Sequence, residues 1–324
     1  MRRSRVLGLL GASAATGLAS RPAAAQTAAP LRLVLFPGET AATAYYAQEL
    51  GLFARAKLDV QITEVKNGAA AAAAIAGGSI DIGFSNPLSV CQGFERGIPF
   101  TILAPAALSR TGKPASNGLV IVAKTSPIHS GRDLNGKTFA VDVLGGLPHV
   151  SVRAWIDKAG GDSSTVRFIE LAFSEMLPSL ASGRIDGSEI NSAFDPLLGK
   201  PADTVRLLGN SYDAVGPRFC SSIWFSTSDW VSKNPDLTRR FIAVMKDAAN
   251  WANAHPHETA QMLAPHIKQT PADIEGSTRV FYGVDMTPDL VQPVIDVSAK
   301  YGLLRKGYPA TELIAAAALK PGGA

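Results

Sequence analysis

The sequence predicts an α/β protein of two lobes, each a mostly parallel sheet flanked by helices. Three observations carry this. Short apolar, strand-like runs alternate with helix-forming runs along most of the chain. The 324 residues are enough to bury two separate cores. Ala76-Gly77-Gly78-Ser79-Ile80-Asp81 and Ala181-Ser182-Gly183-Arg184-Ile185-Asp186 share an A-x-G-x-I-D pattern, each between an alanine-rich helical run and a short strand. In both, glycine can supply the left-handed cap that ends a helix, and the isoleucine leads into a sheet. The shared context reads as a duplicated α/β plan.

The elements follow from periodicity and punctuation. Residues 31–36 form an apolar strand that ends at Pro37-Gly38, and helical spacing follows over 42–50, stopped by Gly51. A strand over 59–65, a helix over 69–76 and a strand over 80–84 come next. Asn86 then caps a helix whose first turn holds Pro87. Further strands are expected over 139–143, 166–171, 184–190 and 223–226, with helices over 150–159 and 174–181. From Ser228 onward the pattern is helical. Thr270-Pro271 and Thr287-Pro288 each look like a cap followed by a first-turn proline.

The N-terminus reads as a secretory signal peptide. Arg2, Arg3 and Arg5 precede an uncharged run over 6–19, and Ala23-Ala24-Ala25 offers an A-x-A cleavage site before Gln26. The run is shorter than the ~20 residues a membrane-spanning helix needs. About 299 residues would remain, free in an extracytoplasmic compartment, the periplasm. Residues 1–25 hold four arginines and no acid, so the remainder carries 27 Lys+Arg against 27 Asp+Glu. A balanced charge without a basic patch excludes a nucleic-acid partner. Cys91 and Cys220 are the only cysteines. Export permits a disulfide between them, and two buried free thiols fit equally well.

Several short motifs occur in a characteristic order. Ala44-Tyr45-Tyr46-Ala47 precedes Gly51-Leu52-Phe53 and Leu58-Asp59-Val60, and the first A-x-G-x-I-D follows. Asp133-Leu134-Asn135-Gly136-Lys137 comes before the second copy, and Trp230-x-x-x-Asn234-Pro235 and Ala248-x-x-Trp251 lie near the end. This order resembles the nitrate/sulfonate/taurine type of ABC-importer substrate-binding proteins, which have the type II periplasmic binding protein fold. The resemblance spans nearly the whole mature chain. It implies lobe 1 over 30–116 and 222–324, lobe 2 over 117–221, crossings at 119–123 and 218–223, and a single ligand in the cleft between lobes. It also implies a small-molecule ligand, the membrane subunits of an ABC importer as partners, a monomer, and neither cofactor nor metal.

Open parallel sheets bind ligands beyond the carboxyl ends of their strands, where helix N-termini present unpaired N–H groups. Four loops lie there: Gly38-Glu39-Thr40 with Thr43, Ser85-Asn86, Gly145-Gly146-Leu147, and Asn191. Their small polar residues donate hydrogen bonds and let backbone approach a ligand. Each has a plainer reading, since Asn86 also serves as a cap and Gly145-Gly146 as a loop. A Glu39 facing the cleft would favour a ligand with N–H donors or positive charge; a Glu39 facing solvent would only complement a helix dipole. His149 reads as a first-turn helix residue, Arg218 as a surface arginine, and one of Tyr45 and Tyr46 as core.

Enzyme signatures are missing from the sequence. It has no H-E-x-x-H, no cysteine pair at zinc spacing, no G-x-S-x-G elbow and no phosphate loop. The fold is shared with fungal synthases of the thiamine pyrimidine precursor, whose cysteine-rich iron motif this chain lacks. A binding protein that signals through a membrane receptor is the other alternative. A solute-binding protein that closes on a small polar organic ligand, sulfonate/taurine-like or pyrimidine-like, is the expected function.

Overall fold

The computed structural model describes residues 30–65, 68–113, 117–191 and 204–319. The signal peptide expected over 1–25 lies outside the described residues. Two five-stranded sheets organise the molecule. The first contains β1 (Leu31–Leu35), β2 (Val60–Glu64), β3 (Ile82–Ser85), β4 (Phe100–Pro105) and β12 (Ile223–Thr227), in the order β2-β1-β3-β12-β4. The second contains β6 (Leu119–Ala123), β7 (Thr138–Val141), β8 (Arg167–Glu170), β9 (Gly187–Ile190) and β10 (Val205–Asn210), in the order β10-β6-β9-β7-β8. Pairing is parallel among β2, β1 and β3 and among β8, β7 and β9. It is antiparallel where β12 enters the first sheet and where β6 and β10 join the second. Each sheet is therefore mixed, with a parallel half built from β-α-β units.

The repeated A-x-G-x-I-D segments make the same contacts in both sheets. Asp81 N–H donates to the Arg32 carbonyl at 3.0 Å, and Asp81 Oδ2 accepts from Arg32 N–H at 2.8 Å. Asp186 N–H donates to the Thr138 carbonyl at 2.8 Å, and Asp186 Oδ2 accepts from Thr138 N–H at 2.9 Å. Each aspartate thus closes a two-bond clasp on the strand its isoleucine sits beside. Gly78 and Gly183 take φ values of 70° and 69°, the left-handed conformation that ends the preceding helix. The duplicated plan is visible at the level of single hydrogen bonds.

Helices cover both faces of the second sheet. Val120 and Val122 of β6 point to α5 (Leu147–Lys158), packing with Val152 and Ile156. Leu119 and Ile121 point the other way, to Met176 and Leu180 of α6 (Phe173–Ala181). The two-residue alternation of a strand accounts for this division, and burial on both faces accounts for a nearly continuous apolar run. In the first sheet, Trp224 is fully buried and packs against Phe84 at 5.2 Å and Phe241 at 5.9 Å between ring centroids. Phe241 comes from α8 (Pro235–Ala254), which follows α7 (Ser228–Lys233). No described helix is long and apolar enough to cross a membrane.

Two expectations need correction. Residues 119–123 are not a crossing; they form β6, an internal strand of the second sheet. The crossing lies just upstream, where β5 (Ala107–Arg110) pairs antiparallel with β11 (Arg218–Cys220) and with the two-residue β13 (Phe281–Tyr282). An apolar strand at a sheet centre and one at a hinge look alike in sequence. β13 also interrupts the region expected to be wholly helical, between α10 (Pro271–Gly276) and α11 (Gln292–Lys300). Cys91 and Cys220 are free and buried, so no disulfide joins them. Burial pushes the Cys91 thiol up to about 12, which keeps it protonated and unreactive.

Candidate functional site

A cavity of about 160 Å³ opens between the two sheets. Its walls come from residues just past the carboxyl ends of strands. Phe36 follows β1, Asn86 follows β3, Asp142 follows β7 and Asn191 follows β9. Thr40, Leu147, Pro148 and Phe173 come from the loops and helix starts beyond these strands. The crossing segments supply Asn117, Tyr212, Ser221 and Ser222, and Glu189 reaches in from β9 itself. Both sheets and the segments that connect them therefore meet one small volume. A larger groove of about 610 Å³ runs between α5 and α11, lined by Asp157, Lys158, Asp296 and Lys300. It has charges of both signs and lies away from the strand ends, where ligand donors would converge.

The expected site residues separate into two groups. Thr40, Asn86, Leu147 and Asn191 line the cavity. Asn86 also caps α4 (Pro87–Glu95): its Oδ1 accepts from Ser89 N–H at 3.0 Å, and Pro87 opens the first turn. The cap fixes the side chain at the cavity wall, so the two roles coincide. Gly38, Glu39, Thr43, Ser85, Gly145 and Gly146 do not line it. Thr43 is buried at the start of α1 (Thr43–Glu49), and Ser85 turns toward Gly68. Gly146 precedes α5 as its cap residue.

Glu39 is a correction with a clear cause. Its Oε1 accepts from Arg279 Nε at 2.5 Å. Arg279 in turn donates to the Pro256 carbonyl at 2.7 Å and to Thr259 Oγ1 at 3.1 Å. The Glu39 carbonyl accepts from Tyr282 O–H at 2.9 Å. A buried carboxylate takes the strongest donor within reach, and here that donor is a guanidinium 240 residues away. Glu39 pins the first loop to the C-terminal helices. Tyr45 and Tyr46 are both core: Tyr45 O–H donates to Glu64 at 2.8 Å, and Tyr46 stands edge-on to Tyr282. Arg218 is exposed at the start of β11. His149 lies in the first turn of α5, where its Nδ1 accepts from Gly145 N–H at 3.0 Å; burial holds its ring down to about 4, hence neutral.

Gly145 acts at the edge of the cleft instead of inside it. Its carbonyl accepts from Gln92 Nε2 at 3.1 Å, joining α4 of the first half to the loop before α5 of the second. Its φ of 74° places that carbonyl and favours glycine there. On the far side of α5, Tyr301 O–H donates to Asp157 Oδ2 at 2.7 Å, and Arg153 Nη1 to the Tyr301 carbonyl at 3.3 Å. These bonds hold the two halves together around the cavity.

Asp142 and Glu189 were missed by sequence reasoning. Glu189 is 4% exposed, inside a strand whose every residue is buried. A glutamate within an otherwise apolar or small-residue strand is the signal that could have found it. Asp142 was absorbed into the expected strand over 139–143, although a charge after Phe139-Ala140-Val141 marks the strand's end. Burial holds Glu189 well above the usual carboxylate range, and the charge of Asp142 adds to this. Asp142 is also raised, chiefly by burial. Among the described residues, no group of three or more metal-ligating side chains is suited to hold an ion.

Comparison with known proteins places this geometry. A family model described as NMT1/THI5-like matches residues 39–259. A Brucella abortus (strain 2308) chain, provisionally named as a binding protein, is 28% identical over 244 residues, covering 71% of this chain and 68% of its own. The crystal structure of the periplasmic aliphatic sulphonate-binding protein of Escherichia coli matches with a TM-score of 0.74 at 16% identity, over 90% of this chain and 94% of that one. The periplasmic nitrate-binding protein of Synechocystis PCC 6803 matches with a TM-score of 0.68 at 15% identity, over 85% and 82%. The fold is that of periplasmic binding proteins.

Proposed function

Because the chain belongs to the NMT1/THI5-like family, we propose that it is an extracytoplasmic solute-binding protein that delivers a small polar organic ligand to an ABC importer by hinge closure. The observation that carries this reading is the cavity between the two sheets, to which both halves and the crossing contribute side chains. The solved relatives named above are periplasmic binding proteins, for sulfonates and for nitrate. Lobe 1 is assigned to 30–116 and 222–324 and lobe 2 to 117–221, a division supported by the strands each sheet draws on. The site assigned to the ligand comprises Thr40, Asn86, Leu147 and Asn191, with the hinge residues beside them.

The mechanism follows from two-sided contact. In the open form only one set of donors reaches the ligand. A ligand that touches both lobes stabilises the closed form by its differential affinity, and the importer recognises that closed surface. In this reading the bond from Gln92 to Gly145, which joins the two halves, belongs to the closed form. The ligand leaves chemically unchanged. Export precedes this role, and N-terminal sequencing of the exported protein should begin at Gln26; an intact Met1 would count against export.

The binding reading makes a quantitative prediction. At a free ligand concentration 100 times its dissociation constant, the mature protein should gain about 2.7 kcal/mol of stability. A melting-temperature rise of a few degrees is expected for a chain of this size. Asn86→Ser, which keeps a capping oxygen, and Asn191→Ala, on the opposite lobe, should each reduce the ligand-induced rise. Gln92→Ala should reduce it through closure alone, weakening affinity by up to about 10-fold, the worth of one hydrogen bond. Thermal-shift titration of each variant checks this. Full retention of the rise in all three would remove the cleft from consideration.

A further inference from the structure

Asp142 and Glu189 make a pocket floor with no cationic partner among the described residues: the Gly118 backbone bonds to Glu189, and the backbone of Val143 and of Asp142 itself to Asp142. They sit at the carboxyl ends of adjacent parallel strands: Ala140 of β7 pairs with Ser188 of β9, and Asp142 follows two positions on and Glu189 one. Both face the cavity. Asp142 Oδ1 is buried with no hydrogen-bond partner. Glu189 is 96% removed from solvent, and no lysine, arginine or histidine pairs with either acid among the described residues. Buried carboxylates are normally paired, because an isolated one costs several kcal/mol to desolvate. Elsewhere this chain obeys that rule, giving Arg279 to Glu39 and Arg32 to Asp81. The cleft is where it is broken.

Resting on the binding-protein reading above, we infer that the ligand is a compact nitrogen base, presenting a positive charge or paired N–H donors to Asp142 and Glu189. The missing cation is the ligand's own. Phe36, Phe173 and Tyr212 supply apolar walls on which a flat cation can lie. About 160 Å³ is well below the roughly 300–1,000 Å³ of drug-sized sites, so one ring or a short branched group fills it. A sulfonate or nitrate would meet two acidic side chains and, among the described lining residues, no cationic one. The floor therefore favours a cation over the anions that the structural relatives are named for.

Pairs of probes matched in shape and opposite in charge test this. Guanidinium and nitrate are one planar pair; benzamidinium and benzenesulfonate are a larger one. Titrated into the mature protein by calorimetry, at least one cation should bind and neither anion should. Glu189→Gln and Asp142→Asn, both near-isosteric, should each weaken the bound cation by about 10- to 100-fold, the worth of a charge-assisted hydrogen bond. Calorimetry in buffers of different ionisation enthalpy should show proton release, so cation affinity rises with pH. Tighter binding of an anion, or proton uptake on binding, would overturn the inference and leave the binding reading standing. Cation affinity unchanged in both variants would also overturn it. If no probe of either charge binds, the inference falls and the cleft reading falls with it.

Discussion

Arg279→Met is expected to destabilise the free protein by about 3–5 kcal/mol, the cost of leaving a buried charge unpaired. The Arg279 and Glu39 side chains are 18% and 9% exposed, so neither is rescued by solvent. The guanidinium also satisfies the Pro256 carbonyl and Thr259 Oγ1, so three acceptors lose their donor at once. Urea denaturation with a two-state fit reads the loss. Adding Glu39→Gln to Arg279→Met should recover much of it, because the stranded charge is then gone. A double variant no better than Arg279→Met would mean that the loss comes from packing. Glu39→Gln should not alter cation affinity directly, in contrast to Glu189→Gln.

Neutralising the cleft floor should have the opposite effect on stability. Glu189 holds its proton in the folded state far above the pH at which an unfolded glutamate, near 4.3, gives it up. Between those two values the folded state binds the extra proton. Stability therefore falls as pH rises through this window, by about 1.4 kcal/mol for each unit separating the values. The penalty is absent below the unfolded value and complete above the folded one. Glu189→Gln removes it, so the variant should be more stable than wild type at pH 8 and closely similar at pH 4. Taking the difference between the two proteins cancels His149, whose depressed value gives the opposite slope. A variant less stable than wild type at pH 8 would show that the bond from the Gly118 backbone, or a cation beside Glu189, outweighs the burial penalty in the free protein. The gain in stability at the expense of binding is the usual trade at functional sites.

How much of this was legible depended on how local each cause is. Caps and helix ends were readable because their chemistry lies within a few residues. Asn86 and Pro87 start α4, and the two A-x-G-x-I-D segments end their helices with left-handed glycines. Strand alternation, and with it the two-sheet fold, followed from patterns of similar range. The strand-end rule located Thr40, Asn86, Leu147 and Asn191 at the cleft wall. Glu39 escaped the same rule because its partner is far away in sequence, and nothing near residue 39 announces Arg279. Residues 119–123 escaped because a central strand and a crossing strand share one apolar composition. Asp142 and Glu189 were in view but counted as strand, since periodicity weighs a buried charge only as noise. Their meaning appears once the register brings the ends of β7 and β9 together. The second lobe's contribution to the site, in particular, required topology before chemistry.

Native mass spectrometry of the mature protein incubated with the tightest-binding cation tests the central claim most directly. One ligand per chain should be retained, and denaturation should release it with its mass unchanged after prolonged incubation without added cofactor. At the same concentrations the complex should be depleted in Glu189→Gln, in line with an affinity about 10- to 100-fold weaker. Release of a ligand of altered mass, in amounts exceeding the protein, would contradict a binding role and make the cleft an active site.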